Sequence, residues 1–275
     1  MTRRRRRDGT RRPPLGQHFL RDRKLADRFV AGAALVPGER VLEIGPGRGI
    51  LTTRLAATGA HLEVIEIDRE FAYGVPLLEG CSKVAVHIGD AAILHWPRVE
   101  VLVANLPFQV SGPVLGRVLD PFVSHPIGRA VLMVQLEVAS RLCAKVGTRD
   151  WGRLSAKAAY AHDVERLEVI PPGAFDPPPK VRSAIVHLRR RAPRVEVEDL
   201  RLLWGLIDGL FQHRRKQARN SLLLCSPALG VRPAAVQSLI DHAGAEGEPW
   251  PRLRPEALDL PALARLCDSL ARDCR

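Results

Sequence analysis

Residues 41–49, VLEIGPGRG, put a short apolar run directly before glycines at positions 45, 47 and 49. A buried strand running into residues that accept positive φ, then Ile50, Leu51, Leu55 and Ala56 at helical spacing, reads as strand, loop and helix. Such a unit belongs to open α/β sheets, which bind ligands outside the carboxyl ends of their strands. The spacing is G-x-G-x-G, with Glu43 before it and Pro46 inside it, whereas a dinucleotide loop reads G-x-G-x-x-G. This variant suits a nucleoside without a pyrophosphate.

The same alternation extends in both directions. Leu25, Phe29, Val30, Ala33 and Ala34 recur at helical spacing over residues 23–35, before Pro37 and Gly38 break the pattern. Short apolar runs at 40–44, 61–67, 83–88, 100–104 and 129–134 are separated by helix-length segments, as a parallel sheet covered on both faces requires. Residues 181–188 follow a proline-rich stretch and read as a late strand near the sheet edge. Beyond Arg191 only helical spacing appears, at 200–210, 220–224, 234–242 and from 261 onward. The expected organisation is an α/β domain over 15–192 and a smaller all-α domain over 193–275. Residues 1–14, with their arginine run, are expected to be a disordered basic tail, either an arm on RNA phosphates or a solvated terminus.

A net charge of +12 in 275 residues makes polyanions the first partners to consider, although a chain that simply uses arginine freely would look the same. The five cysteines, Cys81, Cys143, Cys225, Cys267 and Cys274, are scattered and form no C-x-x-C pair, so they read as reduced packing residues and no metal site is expected. No apolar run approaches the ~20 residues of a membrane span, and Arg3 to Arg7 lead into no signal-peptide core. A cytoplasmic monomer, free of membranes, is the expectation.

Three further positions fall at strand ends. Glu66, in VIEID, lies 21 residues after Gly45, where an acid can accept both ribose hydroxyls of a nucleoside. The alternative is that Glu66 and Asp68 only cap the next helix. Asp90, in GDAA, can accept the amino group of an adenine, or serve as an N-cap, or both. Asn105-Leu106-Pro107-Phe108 ends the fourth run. An exocyclic adenine nitrogen is a poor nucleophile because its lone pair is delocalised, so a site must accept its protons and favour a tetrahedral nitrogen. The Asn105 side-chain oxygen and the Leu106 carbonyl, fixed by Pro107, can do this, and Phe108 can stack on an extruded base. An ordinary Asn-Pro turn with Phe108 in the core is the alternative.

The ordered motifs GQHFL, EIGPGRG, VIEID, GDAA, NLPF, FDPPPKVRSAIVHL and FQHRRKQARNSL resemble those of the ribosomal RNA adenine N6-dimethyltransferases, over residues 16–222. The resemblance implies a Rossmann-like class I methyltransferase sheet using S-adenosylmethionine, with cofactor contacts at His18, Leu20, Gly45, Glu66, Asp90 and Asn105, joined by Gly47 of the same loop. It assigns catalytic positioning to Asn105, Leu106, Pro107 and Phe108. Family members either dimethylate two adjacent adenosines near the 3′ end of small-subunit ribosomal RNA or modify large-subunit RNA and confer macrolide resistance. The segments at 177–188 and 211–222 are similar to the small-subunit group, whose usual fourth motif residue is Tyr where this chain has Phe108.

Arg214, Arg215, Lys216 and Arg219, with Arg189 and Arg190, are the expected RNA contacts, against the alternative of a solvated charged helix; Arg153 and Lys157 are expected to extend them. The two domains are expected to flank an RNA cleft on a precursor of the small subunit. Two rivals remain: a non-catalytic assembly factor on the same fold, and a nicotinamide oxidoreductase, which the missing G-x-G-x-x-G disfavours.

Overall fold

A computed structural model of the chain describes residues 17–273, so the basic tail at 1–14 and Cys274 lie outside the described residues. The first elements are β1 (Phe19–Leu20), α1 (Arg23–Ala31), β2 (Arg40–Ile44), α2 (Thr52–Ala56), β3 (His61–Glu66) and α3 (Arg69–Gly74). They continue with β4 (Ala85–Ile88), β5 (Val101–Asn105), α4 (Ser111–Leu119), β6 (Arg129–Gln135), α5 (Leu136–Leu142) and α6 (Arg153–Ala161). Three strands follow, β7 (His162–Ile170), β8 (Phe175–Asp176) and β9 (Ser183–Arg190). The chain ends in α7 (Leu200–Gln212), α8 (Ala218–Cys225), α9 (Pro233–Ala245) and α10 (Leu260–Asp273).

Helix α1 begins where Asp22 accepts the Leu25 N–H at 3.0 Å, and it buries Leu25, Ala26, Phe29 and Val30. It is shorter than the apolar spacing predicts. The guanidinium of Arg129 takes the Ala33 and Ala34 carbonyls at 2.9 and 3.0 Å while pairing with both carboxylate oxygens of Glu39, and Ala34 turns to a φ of +46°.

The seven-stranded sheet has the order β4-β3-β2-β5-β6-β9-β7. Strands β2 to β6 pair in parallel, but β9 runs antiparallel to β6, with Met133 opposite Ile185, so the sheet is mixed where a parallel one was expected. The late strand at 181–188 is not outermost, because β7 lies beyond it. Strand β7 escapes a search for apolar runs: Asp163 and Glu165 on one face and Arg166 and Glu168 on the other put charges on both sides of an edge strand. A separate two-stranded ribbon pairs Phe19 with Asp176 and Leu20 with Phe175.

The chain divides into two compact units. One holds the described residues up to Ala139 together with Glu165–Arg189; the other holds Ser140–Val164 and the described residues from Arg190 onward. The expected boundary at 192/193 therefore gives way to a discontinuous division, with α6 joining the helical unit. Tyr160 and Trp204 meet edge to face at 5.1 Å there, and Leu203, Leu206, Leu210, Leu222 and Leu263 form its core. The sheet unit packs Phe29, Leu55, Val64, Val103 and Val131. Among the described residues no helix is long and apolar enough to cross a membrane.

Candidate active site

The carboxyl ends of β2, β3, β4 and β5 open on a cavity of 630 Å³, within the ~300–1,000 Å³ usual for small-molecule sites. Gly45 and Gly47 line it after β2, Glu66 at the end of β3, Asp90 after β4 and Asn105 at the end of β5. Leu106, Pro107 and Phe108 complete that rim, and His18 and Leu20 reach it from the β1 ribbon. Every residue expected in the cofactor and catalytic sets thus lies on one hollow of the sheet unit.

The glycine loop is shaped for close approach. Gly45, Gly47 and Gly49 all have positive φ, and a Cβ on Gly47 would stand 2.9 Å from the Phe19 ring. Phe19 is held by Phe71 at 5.3 Å and by the Arg48 guanidinium at 4.7 Å, and Arg48 in turn pairs with Asp176 at 3.1 Å. The β1–β8 ribbon therefore places an aromatic wall against the loop.

Glu66 is only 5% exposed, and its two oxygens accept the Gly47 N–H at 3.4 Å and the Asp68 N–H at 2.8 Å. Burial raises its pKa, and the backbone N–H groups of Asp68, Gly47 and Ile67 oppose the rise. Asp68 does cap α3, through the Glu70 N–H at 3.0 Å. Asp90 does two things: Oδ1 accepts the Ala92 N–H at 2.8 Å, closing a turn, while the side chain lies at the cavity. Glu43, buried beneath the loop, is pushed up to about 8 by desolvation, with the Thr52 hydroxyl opposing and the Glu66 charge adding. Its Oε2 has no hydrogen-bond partner, so the cavity carries a buried acceptor still to be satisfied.

Asn105 donates its side-chain N–H to the His18 carbonyl at 3.3 Å, which leaves its oxygen for another partner. The loop after it is pinned: Leu106 N–H donates to Met133 at 3.1 Å, and the Pro107 carbonyl accepts the Val110 N–H at 3.0 Å and the Ser111 hydroxyl at 3.1 Å. Phe108 packs on the His18 ring at 5.3 Å, and His18 Nδ1 lies 2.7 Å from the Pro177 carbonyl. Phe108 is a wall of the cavity and not a core residue.

Ile67, Phe19 and Phe175 are among the lining residues that the sequence reading missed. Ile67 is 64% exposed directly after buried Glu66, and an apolar side chain at that strand end was a usable signal. Phe19 and Phe175 had none of their own, since the β1–β8 ribbon joins residues more than 150 positions apart.

The expected RNA contacts are divided. Arg189, exposed in the sheet unit, lies 3.9 Å from Glu165, while Arg190 begins a segment of the helical unit. Arg214, Arg215 and Lys216 form the turn between α7 and α8 instead of a charged helix, and only Arg219 is helical. Arg214 donates to the Arg149 carbonyl at 2.6 Å; Arg215, Lys216 and Arg219 are exposed. Lys157 and Arg153 both face Asp208, at 2.8 and 3.7 Å.

A mixed sheet with a glycine loop, a buried acid and an Asn-Leu-Pro-Phe rim on one hollow defines a class I S-adenosylmethionine-dependent methyltransferase. Comparison with known proteins narrows the class. The family model described as ribosomal RNA adenine dimethylase matches residues 9–232, and the chain belongs to that family. It is 42% identical over 257 residues to a ribosomal RNA small subunit methyltransferase A from Syntrophotalea carbinolica, covering 91% of this chain and 93% of that protein. A protein of the same name from Pseudomonas aeruginosa is 39% identical, covering 94% of each. Among solved structures, a dimethyladenosine transferase from Plasmodium falciparum superposes with a TM-score of 0.75 at 25% identity, covering 93% of this chain and 98% of that one. The 23S rRNA methyltransferase ErmE gives 0.62 at 30% identity, covering 92% and 99%.

Proposed function

We propose that the chain dimethylates the exocyclic amines of two adjacent adenosines in a hairpin loop near the 3′ end of small-subunit ribosomal RNA. It does so in the cytoplasm, as a monomer, during small-subunit biogenesis. The observation that carries this reading is the position of Asn105 and Phe108, on the same hollow as Gly47, Glu66 and Asp90. The near full-length likeness to proteins named for the small subunit favours that substrate over the large-subunit one of ErmE.

S-adenosylmethionine supplies, when bound, an activated methyl on a sulfonium. The residues fit it: Gly45 and Gly47 put bare backbone on the hollow, Glu66 offers a buried carboxyl, Ile67 an exposed apolar side chain beside it, and Glu43 Oε2 a buried polar atom without a partner, as a nucleoside requires. Glu66 accepts the ribose hydroxyls, Asp90 accepts the adenine amino group, and Leu20 and His18 close the hollow. For the target, Asn105 Oδ1 and the Leu106 carbonyl accept protons of the adenine amine, drawing the nitrogen towards a tetrahedral geometry. Phe108 stacks on the extruded base and fixes its plane. Alignment of the two reactants supplies most of the rate. Arg214, Arg215, Lys216 and Arg219, with Arg189 and Arg190, contact phosphates and set the register of the RNA.

The test is to expose undermethylated small-subunit and large-subunit particles to the enzyme and map the modified nucleotides. Two adjacent N6-dimethyladenosines near the 3′ end are expected. Modification of large-subunit RNA alone would overturn the substrate. Equal background incorporation by the wild type and by Asn105→Ala would favour a binding factor without transfer.

A further inference from the structure

The turn that carries Asp90 is held from behind by a residue that does not itself line the cavity. Asp90 closes this turn at its start: Oδ1 accepts the Ala92 N–H, and its carbonyl accepts the N–H groups of Ile93 at 3.1 Å and Leu94 at 2.8 Å. The carbonyls of Ala91 and Leu94 take their donor from another element. Arg117, on α4, donates from one Nη1 to both, at 2.8 and 2.6 Å. Trp96 adds a second donor to the Ala91 carbonyl, from Nε1 at 2.8 Å, and its ring lies under the Arg117 guanidinium at 4.3 Å. No ion pair to Arg117 is found among the described residues, and burial lowers its pKa. A half-buried cation held by carbonyls and a π face is a costly arrangement for a group that only fills space.

We propose that Arg117 and Trp96 form a clamp that positions Asp90 for the adenine amino group of the cofactor, making Arg117 a positioning residue for cofactor affinity. The inference rests on the reading of Asp90 given above. Ala91, the shared acceptor, is buried at the cavity wall directly after Asp90, so the clamp acts one peptide from the carboxylate. Without it, two turn carbonyls must find water, and the turn exchanges among conformations of which few aim the carboxylate at the ring edge. The cofactor then binds only the competent fraction, and the apparent Kd rises by the inverse of that fraction.

Calorimetry on the full chain tests this with two ligands. S-adenosylhomocysteine carries the amino group; S-inosylhomocysteine carries an oxo group at that ring position. Arg117→Met is expected to weaken S-adenosylhomocysteine about tenfold, Trp96→Phe about threefold, and Arg117→Lys less than Arg117→Met. Neither Arg117→Met nor Trp96→Phe should shift the inosine ligand more than twofold from wild type. Cofactor KM should rise in parallel, with kcat at saturating cofactor held within twofold. Unchanged S-adenosylhomocysteine affinity in both variants, or equal losses for both ligands, would overturn the clamp. If Arg117→Met does not fold, Trp96→Phe decides alone, since it keeps an aromatic face for the guanidinium and removes the indole N–H. Asp90→Ala separates the two readings: wild-type affinity there would sink the role of Asp90 itself, whereas a loss there with none in the clamp variants sinks only the clamp.

Discussion

Asn105 donates its side-chain N–H to the backbone carbonyl of His18, 3.3 Å away and 87 residues earlier in the chain. That bond uses one of the two N–H donors of the amide and fixes which atom is the nitrogen, leaving the oxygen as the acceptor an incoming amine requires. Asn105→Ala removes the acceptor and frees the His18 segment. By analogy with the loss of one preorganised polar group in other enzymes, methyl incorporation should fall ~10²–10³-fold. Single-turnover assays at saturating cofactor and RNA would check this; a loss confined to KM would contradict the assignment.

Phe108 meets His18 on one side and lines the hollow on the other, so its removal should be felt at the base. Phe108→Ala is expected to cost about 1–3 kcal/mol of stacking, read as a ~5–150-fold loss in kcat/KM for RNA. Phe108→Tyr, which restores the residue usual at this position, should keep activity within threefold.

Glu43 titrates in a pH range where its effect on stability can be read. Its pKa is raised from the ordinary 4.5 to about 8 by burial, so the folded state holds a proton that the unfolded chain has lost. Stability therefore falls as pH rises from about 4.5 to about 8. Glu43→Gln should leave Tm nearly unchanged at pH 5 and raise it at pH 8.5. A Tm lowered equally at both would show that the carboxylate is stabilised instead.

His162, at the start of β7, has the opposite sign. Burial, then the Arg190 charge, lowers it from 6.5 to about 4, with Asp163 opposing, and neither ring nitrogen has a partner. The unfolded chain takes up a proton first, so stability falls as pH drops from about 6.5 to about 4. His162→Phe removes two unsatisfied polar atoms and should raise unfolding free energy by about 1–3 kcal/mol at pH 5, measured by urea denaturation. It should also flatten the acid limb of the profile.

The strand-end residues Gly45, Glu66, Asp90 and Asn105 were legible in the chain because strand, loop and helix repeat with a period that local pattern records. A parallel sheet then brings successive strand ends to one edge whatever the intervening helices contain. Nothing in the interval between Asp90 and Asn105 indicated that Trp96 would meet Arg117 from α4.

Local pattern thus determined the order of elements, the glycine loop and the row of polar groups at the strand ends, since each depends on residues within about one turn or one strand of each other. Tertiary structure alone decided the rest. Phe19 reaches the loop through pairing with a ribbon partner 157 residues on, β7 joins the sheet by its backbone despite charges on both faces, and α6 crosses to the helical unit. These outcomes turn on contacts whose partners share no sequence neighbourhood, so the free energy that selects them is written in no single segment of the chain.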